Sequence, residues 1–121
     1  MSQPLVYDSS ALIALFDAHP LAYDYWKRAD IGKITLVFPA LAIADANLPL
    51  RASYSAWSVL LWPPSIGVAP LDAGTAIEVG KHAEHDLATT HVIRETRAVR
   101  GIVLTSRPHL YAGAAVPVLV L

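Results

Sequence analysis

A three-layer α/β/α sandwich around a mainly parallel sheet is the fold class this sequence predicts, and three observations predict it. Short apolar runs recur along the chain: "LVY" (5–7), "ITLVF" (34–38), "GVAPL" (67–71), "IVLTS" (102–106) and "VPVLVL" (116–121). Each is too short to be a helix and reads as a buried strand. Between them lie longer stretches with apolar residues at helical spacing. Proline, glycine and capping residues punctuate the boundaries. Strands alternating with helices favour a parallel sheet covered on both faces.

The elements follow in order. "LVY" ends at Asp8, and Ser9 or Ser10 can cap the helix that buries Leu12, Leu15 and Phe16. Pro20 suits the first position of a second helix, "PLAYDYWKRAD", which Gly32 stops. After "ITLVF", Pro39 opens a third helix, "ALAIADANLPLRAS", which Pro49 should kink or divide. "SYSAWSVLLW" continues as helix until "PPSIG" breaks it. After "GVAPL", Asp72 is placed to cap "AGTAIEVGKHA". The longest helix is "HDLATTHVIRETRAVRG", ended by Gly101. "RPHLYAG" reads as a loop or short turn between the last two strands.

The 121 residues fit one domain spanning 1–121. Hydrophobic residues make up 55% and charged residues 16%, enough for a sizeable core and unlike a disordered chain. The net charge of −1 sets up no global basic field, so nucleic-acid binding would need a local patch. The absence of cysteine excludes a disulfide scaffold and a thiolate metal site. No basic segment precedes an apolar run at "MSQPLVYDSS", and no apolar run nears the roughly 18 residues that a bilayer span needs. The expectation is a cytoplasmic protein with no membrane contact.

In open parallel sheets, ligands bind beyond the carboxyl ends of the strands. Asp8 lies at such an end. Of the ten acidic residues, Asp17, Asp24, Asp30, Asp72, Glu78 and Glu95 read as surface or capping groups. Three differ in context. Asp8 ends a strand, Asp45 interrupts the apolar run "FPALAIADANL", and Asp86 opens the longest helix. If they converged, mutual repulsion would favour a divalent cation such as Mg²⁺ or Mn²⁺, which takes oxygen ligands. A cation so held can activate water and stabilise charge on a phosphate oxygen, which is phosphodiester-hydrolase chemistry. The alternative for each aspartate singly is a helix cap, and spacing does not decide between the two.

"LVYDSSALIALF", "PALAIADAN" and "HDLATTHVIRETRAVRGIVLTSRP" resemble successive motifs of the PIN domain, particularly the small VapC-type toxins of toxin–antitoxin pairs. The resemblance covers nearly the whole chain in order. It implies a Mg²⁺- or Mn²⁺-dependent endoribonuclease acting on RNA, a homodimer, and a cognate antitoxin. It maps the acidic positions, as catalytic metal ligands, to Asp8, Asp45 and Asp86, with Thr105 and Ser106 as hydroxyl ligands or water positioners. Two departures stand out. The family's second acid is usually Glu, one methylene longer than Asp45. The acid that usually follows "TS" is here Arg107, which cannot bind a cation. Arg107 could pair with an aspartate in the metal's place, or hold substrate phosphate in a bidentate contact. A catalytically degenerate PIN-like protein-binding module is therefore the second reading. A receiver domain, which would need paired acids after the first strand, fits less well.

Arg94, Arg97 and Arg100 form a stripe at spacing three, opposite the apolar Ala88, Val92 and Val99. Arg94 and Arg97 are candidate phosphate contacts beside Asp86. The bland reading is a solvated face. His82, His85 and His91 lack zinc-ligand spacing: His85 reads as a cap-region residue, His91 as a partly buried helix residue, and His19 and His109 as loop residues. Trp26, Trp57 and Trp62 read as core or interface residues before base-stacking ones.

Overall fold

Leu5–Tyr7 forms β1, buried along its whole length, and everything else is arranged about it. In this computed structural model, which describes residues 3–84 and 86–121, β1 pairs in parallel with β2 (Leu36–Pro39) on one side and β4 (Ile102–Thr105) on the other. β3 (Ile66–Ala69) extends the sheet beyond β2, and β5 (Val118–Val120) extends it beyond β4. Among the described residues the sheet has five strands, all parallel, in the order β3-β2-β1-β4-β5. The register sets Val6 opposite Val37 and Val103.

Helices supply the crossovers that parallel pairing requires. They are α1 (Ser9–Phe16), α2 (Pro20–Asp30), α3 (Ala40–Leu50), α4 (Tyr54–Leu61), α5 (Ala73–Lys81) and α6 (Leu87–Val99). α1, α3 and α6 pack together around the centre of the sheet. Val6, Tyr7, Leu12, Leu36, Phe38, Val92, Val103 and Leu104 are essentially inaccessible to solvent and make the core. Burying each such side chain contributes about 1.5–3 kcal/mol, which is why the strands read as unbroken apolar runs. This is the predicted α/β/α sandwich.

The helix boundaries refine the sequence reading. Pro20 opens α2 as expected, and Gly32, at φ +78°, takes the left-handed turn that ends it. Asp72 caps α5 through the Thr75 N–H, which holds its carboxyl below the usual range. Pro49 divides the expected helical stretch: α3 stops at Leu50 and α4 begins at Tyr54. It has no N–H to give to the Asp45 carbonyl, and the helix ends two residues later at Arg51. The cap of α1 is Asp8 itself rather than Ser9 or Ser10. α6 ends in a left-handed Arg100, while Gly101 serves close approach: a Cβ there would lie 2.6 Å from the Pro4 carbonyl. The stretch "RPHLYAG" contains a 3-10 turn, Pro108–Tyr111. The expectation for His85 lies outside the described residues. Among the described residues, no helix is long and apolar enough to cross a membrane.

Candidate functional site

β1 ends at Tyr7, so the chain must leave the sheet at Asp8, and α1 begins at once. The first turn of a helix has amide donors without partners. Asp8 meets that need: its Oδ1 accepts the Ala11 N–H at 2.9 Å and the Ser10 hydroxyl at 2.6 Å. Its other oxygen, Oδ2, accepts the Tyr111 hydroxyl at 2.8 Å. Asp8 is only 3% exposed, so these three bonds replace the water a carboxylate would otherwise keep.

Ser10 joins the β1 edge to the β4 edge. Having donated its proton to Asp8, its Oγ accepts the Ser106 N–H at 3.0 Å and lies 3.3 Å from the Thr105 Oγ. Thr105 is inaccessible to solvent, and its Oγ also accepts the Arg107 N–H at 2.8 Å. The Ser10 hydroxyl is thereby filled by neighbours, and that of Thr105 has two of its three sites taken. In this structure the Thr105 hydroxyl ties the loop after β4 to α1. Ser106 is exposed and contributes its backbone N–H to that tie.

Asp86 is the N-cap of α6. Its Oδ1 accepts the Thr89 N–H and its Oδ2 accepts the Thr89 hydroxyl, each at 2.8 Å. α6 runs antiparallel to the strands, so its first turn lies at the same sheet edge where Asp8 ends β1. The Tyr111 hydroxyl feels both acids. Its pKa is pushed far up, first by burial, then by the charge of Asp8 and its hydrogen bond, and also by the charge of Asp86. Asp8 and Tyr111, from opposite ends of the chain, thus meet in one hydrogen bond.

Asp45 is exposed on α3, beside the buried stripe of Ala42 and Ala46. Among the described residues, no group of three or more His, Cys, Asp or Glu side chains is disposed to hold a metal ion, and Asp8, Asp45 and Asp86 do not assemble into one. The physical reason is local. Asp8 turns inward to cap α1, Asp86 turns back to cap α6, and the short side chain of Asp45 stays at the surface. A caged cation therefore does not fit. Mg²⁺, however, commonly takes one or two carboxylates and completes its shell with waters and substrate phosphate. Asp8 and Asp86, as carboxylates, each have the donor chemistry for that looser mode.

Arg107 is exposed, and among the described residues it forms no ion pair with Asp8 or Asp86. Tyr111, not Arg107, occupies Asp8. The arginine stripe also changes character in three dimensions. Arg94 and Arg97 line an open groove of about 1140 Å³ together with Glu78, Glu84 and Glu95. The Arg97 guanidinium donates to the Ala114 carbonyl. Its walls therefore mix both charges and do not form a purely cationic track.

Sequence reasoning missed Tyr111, which lies in a segment that reads as loop. Only the apolar spacing of Leu110 and Tyr111 after Pro108 hinted at a packed turn. It also missed His91 as a fully buried capping group: its Nδ1 accepts the Leu41 N–H at 3.3 Å at the start of α3. Trp57 is core, while Trp26 is half-buried and donates to the Leu60 carbonyl. Trp62 is 83% exposed.

Fold and site together define an α/β protein with an all-parallel sheet among the described residues and a buried carboxylate, Asp8, at the carboxyl end of its central strand. Among solved structures it is similar to the crystal structure of PAE2754 from Pyrobaculum aerophilum. That likeness has a TM-score of 0.58 and 21% identity, over 97% of this chain and 92% of that one. At that identity the likeness shows the fold. No family model matches the chain, and no curated protein matches it significantly.

Proposed function

We propose that this protein is a PIN-type, divalent-metal-dependent endoribonuclease that cleaves RNA phosphodiester bonds, the toxin of a type II toxin–antitoxin pair. The observation that carries the reading is the buried Asp8 carboxylate at the carboxyl end of the central strand β1, with Asp86 opening α6. The three sequence motifs support it, since they run in family order and place those two acids first and third. In this reading Asp8 and Asp86 hold the cation, and Asp45, exposed on α3, joins them only if its helix shifts or a water bridges the gap.

When bound, Mg²⁺ or Mn²⁺ supplies water activation and charge stabilisation on a phosphate oxygen. The chain's own residues do the rest. Ser10 and the Ala11 N–H fix the orientation of the Asp8 carboxylate. Thr89 fixes that of Asp86. Arg107, exposed at the end of β4, is free to reach substrate phosphate in a bidentate contact. The partners in this reading are RNA, a cognate antitoxin and a second copy of the chain. The exposed apolar residues of α4, Tyr54 and Val59, and its cap Trp62 are available to the protein partners.

A second reading, the PIN-like module without catalysis, is favoured by one observation. Both oxygens of Asp8 already have protein donors, and the three aspartates do not gather into a metal-holding group. One experiment separates the two. A panel of labelled single-stranded RNAs is incubated with Mn²⁺, Mg²⁺ or EDTA, with the wild type and with Asp8→Asn purified identically. The nuclease reading expects metal-dependent cleavage that Asp8→Asn reduces at least a hundredfold. Absence of cleavage by either protein would select the binding module.

A further inference from the structure

The two oxygens of Asp8 are held in different ways. Oδ1 is gripped by α1, the helix that Asp8 itself starts, through the Ser10 hydroxyl and the Ala11 N–H. Those bonds belong to the cap. Among the described residues, Oδ2 is held by one donor 103 residues away, the Tyr111 hydroxyl at 2.8 Å. Tyr111 is 4% exposed and arrives on the 3-10 turn after β4, an element with no part in the cap.

A phenol has one proton to donate, and here it goes to Oδ2. A hydrogen bond to a charged acceptor is stronger than one between neutral groups. It also partly satisfies the carboxylate, whose negative charge would otherwise attract a cation. The same hydroxyl lies in the field of Asp86. Tyr111 therefore sits on the oxygen of Asp8 that the helix cap leaves over.

We propose that Tyr111 is a hydroxyl latch on Asp8: it holds Oδ2 while no cation is present, and a divalent cation gains that oxygen only by displacing it. Tyr111 is thus a positioning residue that sets how tightly the site loads. The inference rests on the reading of Asp8 as a cation ligand. It goes further by naming the hydroxyl a cation must displace, in place of Arg107 or the short Asp45.

Titration calorimetry with Mn²⁺ alone, without RNA, tests it on the wild type, Tyr111→Phe, Asp8→Asn and the double variant. The ring of Phe fills the same space, and only the hydroxyl is lost. Tyr111→Phe should bind Mn²⁺ about tenfold tighter than wild type, the factor a net hydrogen bond to a charged group represents at its lower end. Asp8→Asn should abolish binding in both backgrounds. A purely structural role for Tyr111 would leave binding unchanged or weaken it, so a tighter site is specific to a displaced competitor. Equal or weaker binding by Tyr111→Phe, with binding still lost in Asp8→Asn, would overturn the latch and leave the metal reading standing. Absence of Asp8-dependent binding in wild type and Tyr111→Phe alike would overturn the metal reading and the latch with it. A second readout needs no change at 111. Ultraviolet difference spectra of the wild type should show a tyrosine band shift that saturates with Mn²⁺, and binding without that shift would also overturn the latch.

Discussion

His91 shows how one side chain can carry the start of an element. α3 follows Pro39, which has no side chain able to cap, so its first amides need another acceptor. His91 supplies it from α6, through the bond from the Leu41 N–H to Nδ1. Nδ1 therefore accepts, and the ring is neutral with its proton on Nε2. Nε2 lies 3.3 Å from the Glu95 Oε1, out of hydrogen-bonding alignment. Burial holds the imidazole below its usual pKa of 6.5, with Arg94 adding to the shift and Glu95 opposing it. A base whose folded pKa lies below its unfolded one takes up protons more readily when unfolded. Its contribution is complete above about 6.5 and is lost as pH falls toward the lowered value. The wild type should therefore lose more Tm between pH 7 and pH 5 than His91→Gln, whose amide oxygen keeps an acceptor for Leu41 but does not titrate. Parallel Tm profiles for the two proteins would refute the assignment.

At the scale of elements, the junction of α6 and β4 turns on two adjacent residues with opposite needs. Arg100 sits at φ 52°, a left-handed conformation that disfavours any residue with a Cβ. Gly101 meets the Pro4 carbonyl so closely that a Cβ would stand 2.6 Å from it. Arg100→Gly should therefore stabilise the protein by about 0.5–1 kcal/mol, after the entropic cost of glycine in the unfolded chain. Gly101→Ala should destabilise it by about 1–3 kcal/mol, because β1 and β4 must part to admit the methyl. Urea unfolding of both variants checks the pair, and matching signs would contradict the account.

For the molecule as a whole, sheet order decides what is most protected. β1 is central, and its flanking amides bond to both sides: Leu5 to the Thr35 carbonyl and Asp8 to the Leu104 carbonyl. β5 is an edge strand with Val118 and Val120 exposed. Native-state hydrogen exchange should find the amides of Leu5 and Asp8 opening only with global unfolding. The Leu121 amide, bonded to the Thr105 carbonyl, should exchange at least tenfold faster through local fraying. Equal protection at the two places would mean that the edge does not open independently. Asp8 thus belongs to the most stable part of the chain, and Tyr111 reaches it from near the edge.

The alternation of apolar runs and helical stretches determined the architecture by itself, because burial on both faces of a strand and on one stripe of a helix is a local, periodic property. "LVY", Pro20, Gly32 and Asp72 could be read correctly for that reason. Asp8 and Asp86 could be marked out as acids at element starts, where carboxylates either cap or coordinate. Which oxygen of Asp8 faces which donor could not be read. Its decisive partner, Tyr111, is 103 residues distant, and only the parallel pairing of β1 with β4 brings the two together. The same holds for His91 at the start of α3, for Ser10 between Asp8 and Ser106, and for the glutamates among Arg94 and Arg97. Periodicity places a residue on a face of its own element. Tertiary packing alone decides what that face meets, and with it whether a carboxylate is saturated or open.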